Sequence, residues 1–123
     1  MMMEACMNIK QSEIWLVKFY PIIGQEIGKI RPAIVINDDK AGKLKLRTVV
    51  PITDWKDIYF NYPWMIKIAP NTQNNLSKDS AIDCFQVKNL STDRFIKKIG
   101  IVKNIFQIHG TVTKTFNLHY RLK

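Results

Sequence analysis

Leu44-Lys45-Leu46-Arg47-Thr48-Val49-Val50 alternates apolar with polar side chains before an apolar end. Successive side chains of a strand point to opposite faces, so this pattern predicts a half-exposed strand. In this reading Pro51 and the Thr53-Asp54 pair close it. Upstream, Asn37 to Lys43 is polar, contains Gly42 and reads as a turn. Pro32-Ala33-Ile34-Val35-Ile36 is a short apolar run suited to a buried strand. Pro21 to Ile30 contains Gly24 and Gly28 and reads as a loop. Glu13 to Phe19 is rich in strand formers, although Leu16 and Val17 interrupt its alternation.

Downstream, Trp64 to Ile68 and Ser80 to Val87 give two further strands, separated by the loop Pro70 to Ser77. Thr92 to Phe95 reads as one helical turn and Lys97 to Gly100 as a short strand. From Lys103 onwards, Ile105, Ile108, Val112 and Phe116 fall at helical spacing and mark one amphipathic face. Gly110 and the β-branched Thr111, Val112, Thr113 and Thr115 weaken that helix, so packing must hold it. Five or six short strands followed by one helix predict a small barrel, mainly β with a C-terminal helix.

A chain of 123 residues suffices for one domain and is too short for two. Residues 1–10 are expected to form a flexible tail and residues 11–123 a single domain. The hydrophobic fraction of 46% supports a real core and argues against disorder. No apolar run approaches the roughly 20 residues that span a bilayer, and the start lacks the apolar core of a signal peptide. Cys6 and Cys84 make no disulfide framework, and neither has a nearby Cys or His to share a zinc ion. A reduced, cytoplasmic protein without metal or other cofactor is the expectation. Nineteen Lys and Arg against ten Asp and Glu give a net charge of +9, and no acidic residue follows Asp93. Such a surplus favours a polyanion or an acidic protein as partner, a solubilising surface being the plainer alternative.

Gly24-Gln25-Glu26-Ile27-Gly28 precedes Arg31-Pro32, and Val50-Pro51-Ile52-Thr53 follows. Asp79 to Val87 and Thr92 to Gly100 complete an ordered set. Together these segments resemble the MazF/PemK toxins over roughly residues 12 to 118. The resemblance implies an SH3-like barrel that forms a homodimer and cleaves single-stranded RNA without a metal. It also implies a cognate acidic antitoxin, and operator DNA as a ligand of the toxin–antitoxin complex. By position, Arg31 and Thr53 match the family's catalytic pair, while Gly24, Glu26 and Gly28 match a loop overhanging the site. Some relatives carry a carboxylate immediately before Gln86, where this chain has Phe85. Either Asp83, two residues before Phe85 and on the same face of a strand, takes over the acidic role, or the site works without one. Lys29, Lys56 and Gln86 complete the expected substrate-binding set.

Metal-free RNA cleavage uses the ribose 2′-hydroxyl against the adjacent phosphorus and leaves a cyclic phosphate or 3′-phosphate and a 5′-hydroxyl. Arg31 offers a planar, permanently charged fork that matches phosphate oxygens. Thr53 offers a hydroxyl to the same group, and Asp83 or Glu26 a base if burial raises its pKa. Plainer readings stand beside these: Arg31 capping a loop, Thr53 in an ordinary turn, Asp83 paired with a lysine. His109 and His119 lie ten residues apart, roughly 15 Å along a helix, too far to act as an acid–base pair within one subunit. Trp55 to Trp64 interleaves five aromatics with polar groups, fitting either a base-stacking surface or a satellite core. With Lys18, Lys29, Lys56 and Lys67, the loops would line a cationic channel. Two other classes share the barrel: a gyrase-poisoning toxin, and a nucleic-acid-binding module with a decayed site, which Phe85 keeps in play.

Overall fold

In the computed structural model, which describes residues 8–19, 24 and 29–117, Leu46–Asp54 forms one nine-residue strand. Pro51 therefore does not end it. In chain order the strands are β1 (Glu13–Lys18), β2 (Ile30–Val35), β3 (Leu46–Asp54), β4 (Met65–Ile68), β5 (Ser80–Asp83), β6 (Lys88–Ser91) and β7 (Phe95–Ile101). The helix α1 spans Ile105–Thr115. The strands pair in the order β4-β5-β3-β2-β1-β7, with β6 alongside the first half of β3. The architecture is mainly antiparallel β with a C-terminal helix, barrel-like, although the hydrogen-bonded path does not return from β7 to β4.

Proline is tolerated within β3 because of where its missing N–H falls. Thr48 faces β2, its carbonyl accepting from the Ile36 N–H at 2.9 Å. By alternation Pro51 faces the other edge, where pairing with β6 ends at Val49 and pairing with β5 begins at Ile52. No partner is asked for at the gap between them. The strand expected over residues 80–87 ends at Asp83, whose carboxylate accepts the Phe85 N–H at 3.0 Å and turns the chain, and the next strand, β6, begins only at Lys88.

Alternation along β3 divides the interior into two cores. Ile14, Ile34, Val50, Ile52 and Ile82 face α1 and pack with its Ile105 and Ile108. Val17, Phe19, Ala33, Val35 and Val49 form the second core on the opposite face. Ile9, placed in the tail by the sequence, is buried in that second core. Arg47 joins the inward register of Val49 and is only 1% exposed, while Leu46 faces outwards. The apolar alternation thus marks the strand and misplaces its faces at this end. The buried guanidinium donates to the carbonyls of Ile9, Leu44, Leu46 and Gly42, which fastens the N-terminal segment and the preceding turn to β3.

The Asn104 side chain caps α1, accepting from the Gln107 N–H at 3.1 Å. Thr111, Thr113 and Thr115 each donate their hydroxyl to the carbonyl four residues back. His109 lies 2.8 Å from the Ile36 carbonyl through Nε2, so it serves packing between α1 and the end of β2. His119 lies outside the described residues.

Near the end of β7, the Ile101 N–H donates to the Gln73 carbonyl at 3.0 Å, and the Asn75 side chain donates to the Ile99 carbonyl at 2.9 Å. A Cβ at Gly100 would lie 2.4 Å from the Gln73 carbonyl oxygen and 2.7 Å from that of Asn74. Gly100→Ala is expected to destabilise the protein by about 1–3 kcal/mol. A lower urea midpoint with an unchanged slope would register the loss.

Candidate active site

The register of the sheet brings the predicted pair together. Ala33 on β2 lies opposite Pro51 on β3, so two residues further along each strand Arg31 comes opposite Thr53. Directly opposed residues share a face, and Arg31 Nη1 donates to Thr53 Oγ1 at 3.3 Å. The row continues across the sheet. Thr53 opposes Ala81 on β5, and Ala81 opposes Lys67 on β4. Two cations therefore flank Thr53 on one face, with the methyl of Ala81 between Thr53 and Lys67.

Arg31 is half-buried, and its Nε is buried without a hydrogen-bond partner among the described residues. A buried donor left unpaired costs about 1–3 kcal/mol. A guanidinium held in this way is strongly biased towards an oxyanion, whose charge-assisted bonds would satisfy it. Thr53 accepts from Arg31 and keeps its own hydroxyl proton for another acceptor.

Asp83 stands on the face of Thr53 and Ala81, one pair further along, opposite Met65. It is 5% exposed. Its carboxylate accepts from the Phe85 N–H at 3.0 Å and from Gln86 Nε2 at 3.3 Å, rather than from Arg31. Burial pushes its carboxyl above the ordinary value of 3.8, outweighing the hydrogen bonds from Phe85 and Gln86, which act in the opposite direction. The neighbouring Cys84 thiol is likewise pushed up by burial, to about 12, which leaves it unreactive. Phe85 points to neither carboxylate nor Arg31 in its ring contacts, which are with Trp64 and Phe116.

The remaining predicted residues are less gathered. Lys29 is exposed at a left-handed φ of 65°, and its carbonyl accepts from the Phe19 N–H at 2.8 Å. Lys56 is exposed at the start of the 3-10 turn Asp57–Asn61. Gly24 adopts φ 61°, which only glycine takes without strain. Glu26 and Gly28 lie outside the described residues. Among the described residues there is no cluster of three or more His, Cys, Asp or Glu spaced to hold a metal ion. Lys67, expected with Lys18, Lys29 and Lys56 to line a cationic channel, is a strand residue, as the sequence predicts, and lies in the row of Thr53. Alternation in Met65-Ile66-Lys67-Ile68 marks it as outward, but its place beside Thr53 depends on two strand pairings across β5.

Comparison with known proteins bears on this arrangement. A family model described as PemK-like, MazF-like toxin of type II toxin-antitoxin system matches residues 10–108. The endoribonuclease MazF9 of Mycobacterium tuberculosis is 31% identical over 100 residues, covering 76% of this chain and 82% of that protein. The endoribonuclease MazF of Staphylococcus saprophyticus is 23% identical over 113 residues, 90% of this chain and 93% of that one. The crystal structure of MazF from Deinococcus radiodurans superposes with a TM-score of 0.74 at 18% identity, covering 89% of this chain and 96% of that chain. An endoribonuclease from a mycobacterial species, in complex with its cognate antitoxin, superposes at 0.69 and 11% identity, covering 91% and 98%. At these identities the structural likeness speaks for the fold.

The raised carboxyl of Asp83 makes a pH prediction. In the folded chain Asp83 holds its proton to higher pH than in the unfolded chain, so ionisation opposes folding. The stability it contributes is present at low pH and is lost as pH rises above 3.8 through the folded value. Asp83→Asn is expected to flatten that part of the stability curve, measured as urea midpoints across the acidic range.

Proposed function

The chain belongs to the family of PemK-like, MazF-like toxins of type II toxin–antitoxin systems, and from that premise we propose that it is a metal-independent endoribonuclease that cuts single-stranded RNA at Arg31 and Thr53. The observation that carries the reading is the 3.3 Å contact between these two side chains, set side by side by the strand register.

In this mechanism the ribose 2′-hydroxyl attacks the adjacent phosphorus as its proton is removed, and the 5′-oxygen leaves as it gains one. The products are a cyclic phosphate or 3′-phosphate and a 5′-hydroxyl. Arg31 stabilises the charge that grows on the phosphate oxygens, because its fork stays charged at any working pH. It is a poor proton donor for the same reason. Thr53, already held by Arg31, donates its hydroxyl to a phosphate oxygen and keeps the scissile group in line. Asp83 is the proposed base, or the group that orients the 2′-hydroxyl, and burial, by raising its carboxyl above the ordinary value, makes it the better proton acceptor. Phe85 donates to one of its oxygens and Gln86 to the other, which leaves each oxygen a lone pair for a further donor. Gly24, Glu26, Gly28, Lys29 and Lys56 are assigned to holding the strand.

The cognate partner is an acidic antitoxin that competes for the same basic surface; support for an antitoxin partner comes from the mycobacterial endoribonuclease in complex with its own. A homodimer acting in the cytoplasm, and operator DNA binding by the toxin–antitoxin complex, complete the proposal. Among the described residues no helix is long and apolar enough to cross a membrane.

Purified, antitoxin-free protein incubated with long single-stranded RNA in EDTA is expected to make discrete cuts with 5′-hydroxyl ends. Arg31→Ala is expected to slow cleavage by about 10²–10³-fold, and Thr53→Val by about 10-fold, the loss of one hydrogen bond to a charged group. Intact RNA from folded protein would sink the ribonuclease reading, and altered gyrase supercoiling in its place would point to the gyrase-poisoning class.

A further inference from the structure

Trp55 continues the β3 ladder past its last residue. Its N–H donates to the Asp79 carbonyl at 3.2 Å, the pairing next in register after Asp54 with Ser80. Trp55 thus stands on the face of Thr53, two residues on, about 6.6 Å along the strand. The chain then turns through Asp57–Asn61, none of whose residues is buried, and returns Phe60 to Trp55 with ring centroids 4.8 Å apart, edge to face. Lys67, the far member of the Thr53 row, sets its ammonium 5.2 Å from the Trp55 ring centre and 5.5 Å from that of Phe60.

The aromatic stretch runs on through Tyr59, whose ring centre lies 5.6 Å from that of Trp55 and 6.0 Å from that of Tyr62, but its two ends differ in their surroundings. Tyr62 stacks on Trp64, and Trp64 packs against the helix-side core, which makes that end a satellite of the interior. Phe60 remains 69% exposed, so burial does not account for it. Nearby charges nearly cancel: Asp54 pairs with Lys78 at 3.1 Å, Asp57 accepts from Trp55 Nε1 at 3.1 Å, and Asp79 lies 3.9 Å from Lys67. What the surface offers beside Thr53 is aromatic area with one cation against it.

We propose that Trp55 and Phe60, with Lys67 against both rings, form a stacking subsite for an unpaired base of the RNA strand next to the phosphate held by Arg31 and Thr53. The inference rests on the RNA-cutting reading and adds to it where the strand is gripped. Every base has a π face, so such a shelf adds affinity and fixes register without selecting sequence. Lys67 neutralises a phosphate of the same strand, a contact weakened by salt, whereas stacking is not.

The test is fluorescence anisotropy with a labelled, mixed-sequence single-stranded RNA carrying 2′-O-methyl groups, which lacks the attacking hydroxyl and is not cut. Phe60→Ala in the full chain is expected to raise Kd about 10-fold, at every salt concentration alike, and Phe60→Trp to restore binding. Lys67→Met is expected to lower the salt slope by about 0.7. Phe106→Ala, at a residue 82% exposed on α1, is the control and should leave Kd unchanged. Equal Kd for the wild type and Phe60→Ala, while natural RNA is cut, overturns the subsite and leaves the ribonuclease. Binding sensitive to Phe60→Ala with natural RNA never cut overturns the ribonuclease and leaves the subsite. Equal losses in Phe60→Ala and Phe106→Ala, or a loss seen only with a Glu-rich peptide as ligand, also overturn it.

Discussion

One strand, β3, pairs with three others: β2 along one edge, and β6 followed by β5 along the other. Because side chains alternate across a strand, a shift of one residue in β3 would move Val50 and Ile52 from one core to the other and turn Thr53 away from Arg31. Both cores and the candidate site hang on the same register. Pro51 sits at the one point on its edge where the partner changes, so the residue that would disrupt a central strand elsewhere is harmless here. It also discourages continuous pairing on that edge, which lets β5 take up the second half of β3 and carry Ala81 and Asp83 to the site face.

The electrostatics follow from burial more than from the tally of charges. Arg47 contributes to the net charge of +9 from inside the protein, where it is spent on four backbone carbonyls. Lys98 is tied to Glu13 at 3.0 Å and Lys78 to Asp54. Arg31 differs from these. Among the described residues it donates to the Thr53 hydroxyl, and its buried Nε has no partner. Such a group destabilises the folded chain slightly and is repaid only by an anion, the behaviour expected of a preorganised binding residue.

Phe85 belongs to a run of ring contacts. The turn after β5 sends its ring towards Trp64 and Phe116, while the same turn is closed by the Asp83 carboxylate. An acidic group is thereby kept buried on the Thr53 face without one at position 85. The turn that holds Asp83 also raises the demand on it, since its oxygens already accept two bonds.

The sequence alone determined the class of fold, most of the elements, and the identity of Arg31 and Thr53 as a pair. Short-range periodicity sets strands and the α1 face, and an ordered set of motifs carries a family likeness that needs no geometry. It did not determine that the strand from Ser80 ends at Asp83, that β3 runs on through Pro51, or that Arg47 points inwards while Leu46 points out. Each of these depends on what the neighbouring strand demands, and hydrogen bonds between strands join residues far apart in the chain. Lys67 stands 14 positions from Thr53 in sequence and reaches its row only through Ala81 of β5. Tertiary structure alone decided that row, and with it that Trp64 packs on the interior while Phe60 stays open to water, because only packing decides which rings lose their contact with water.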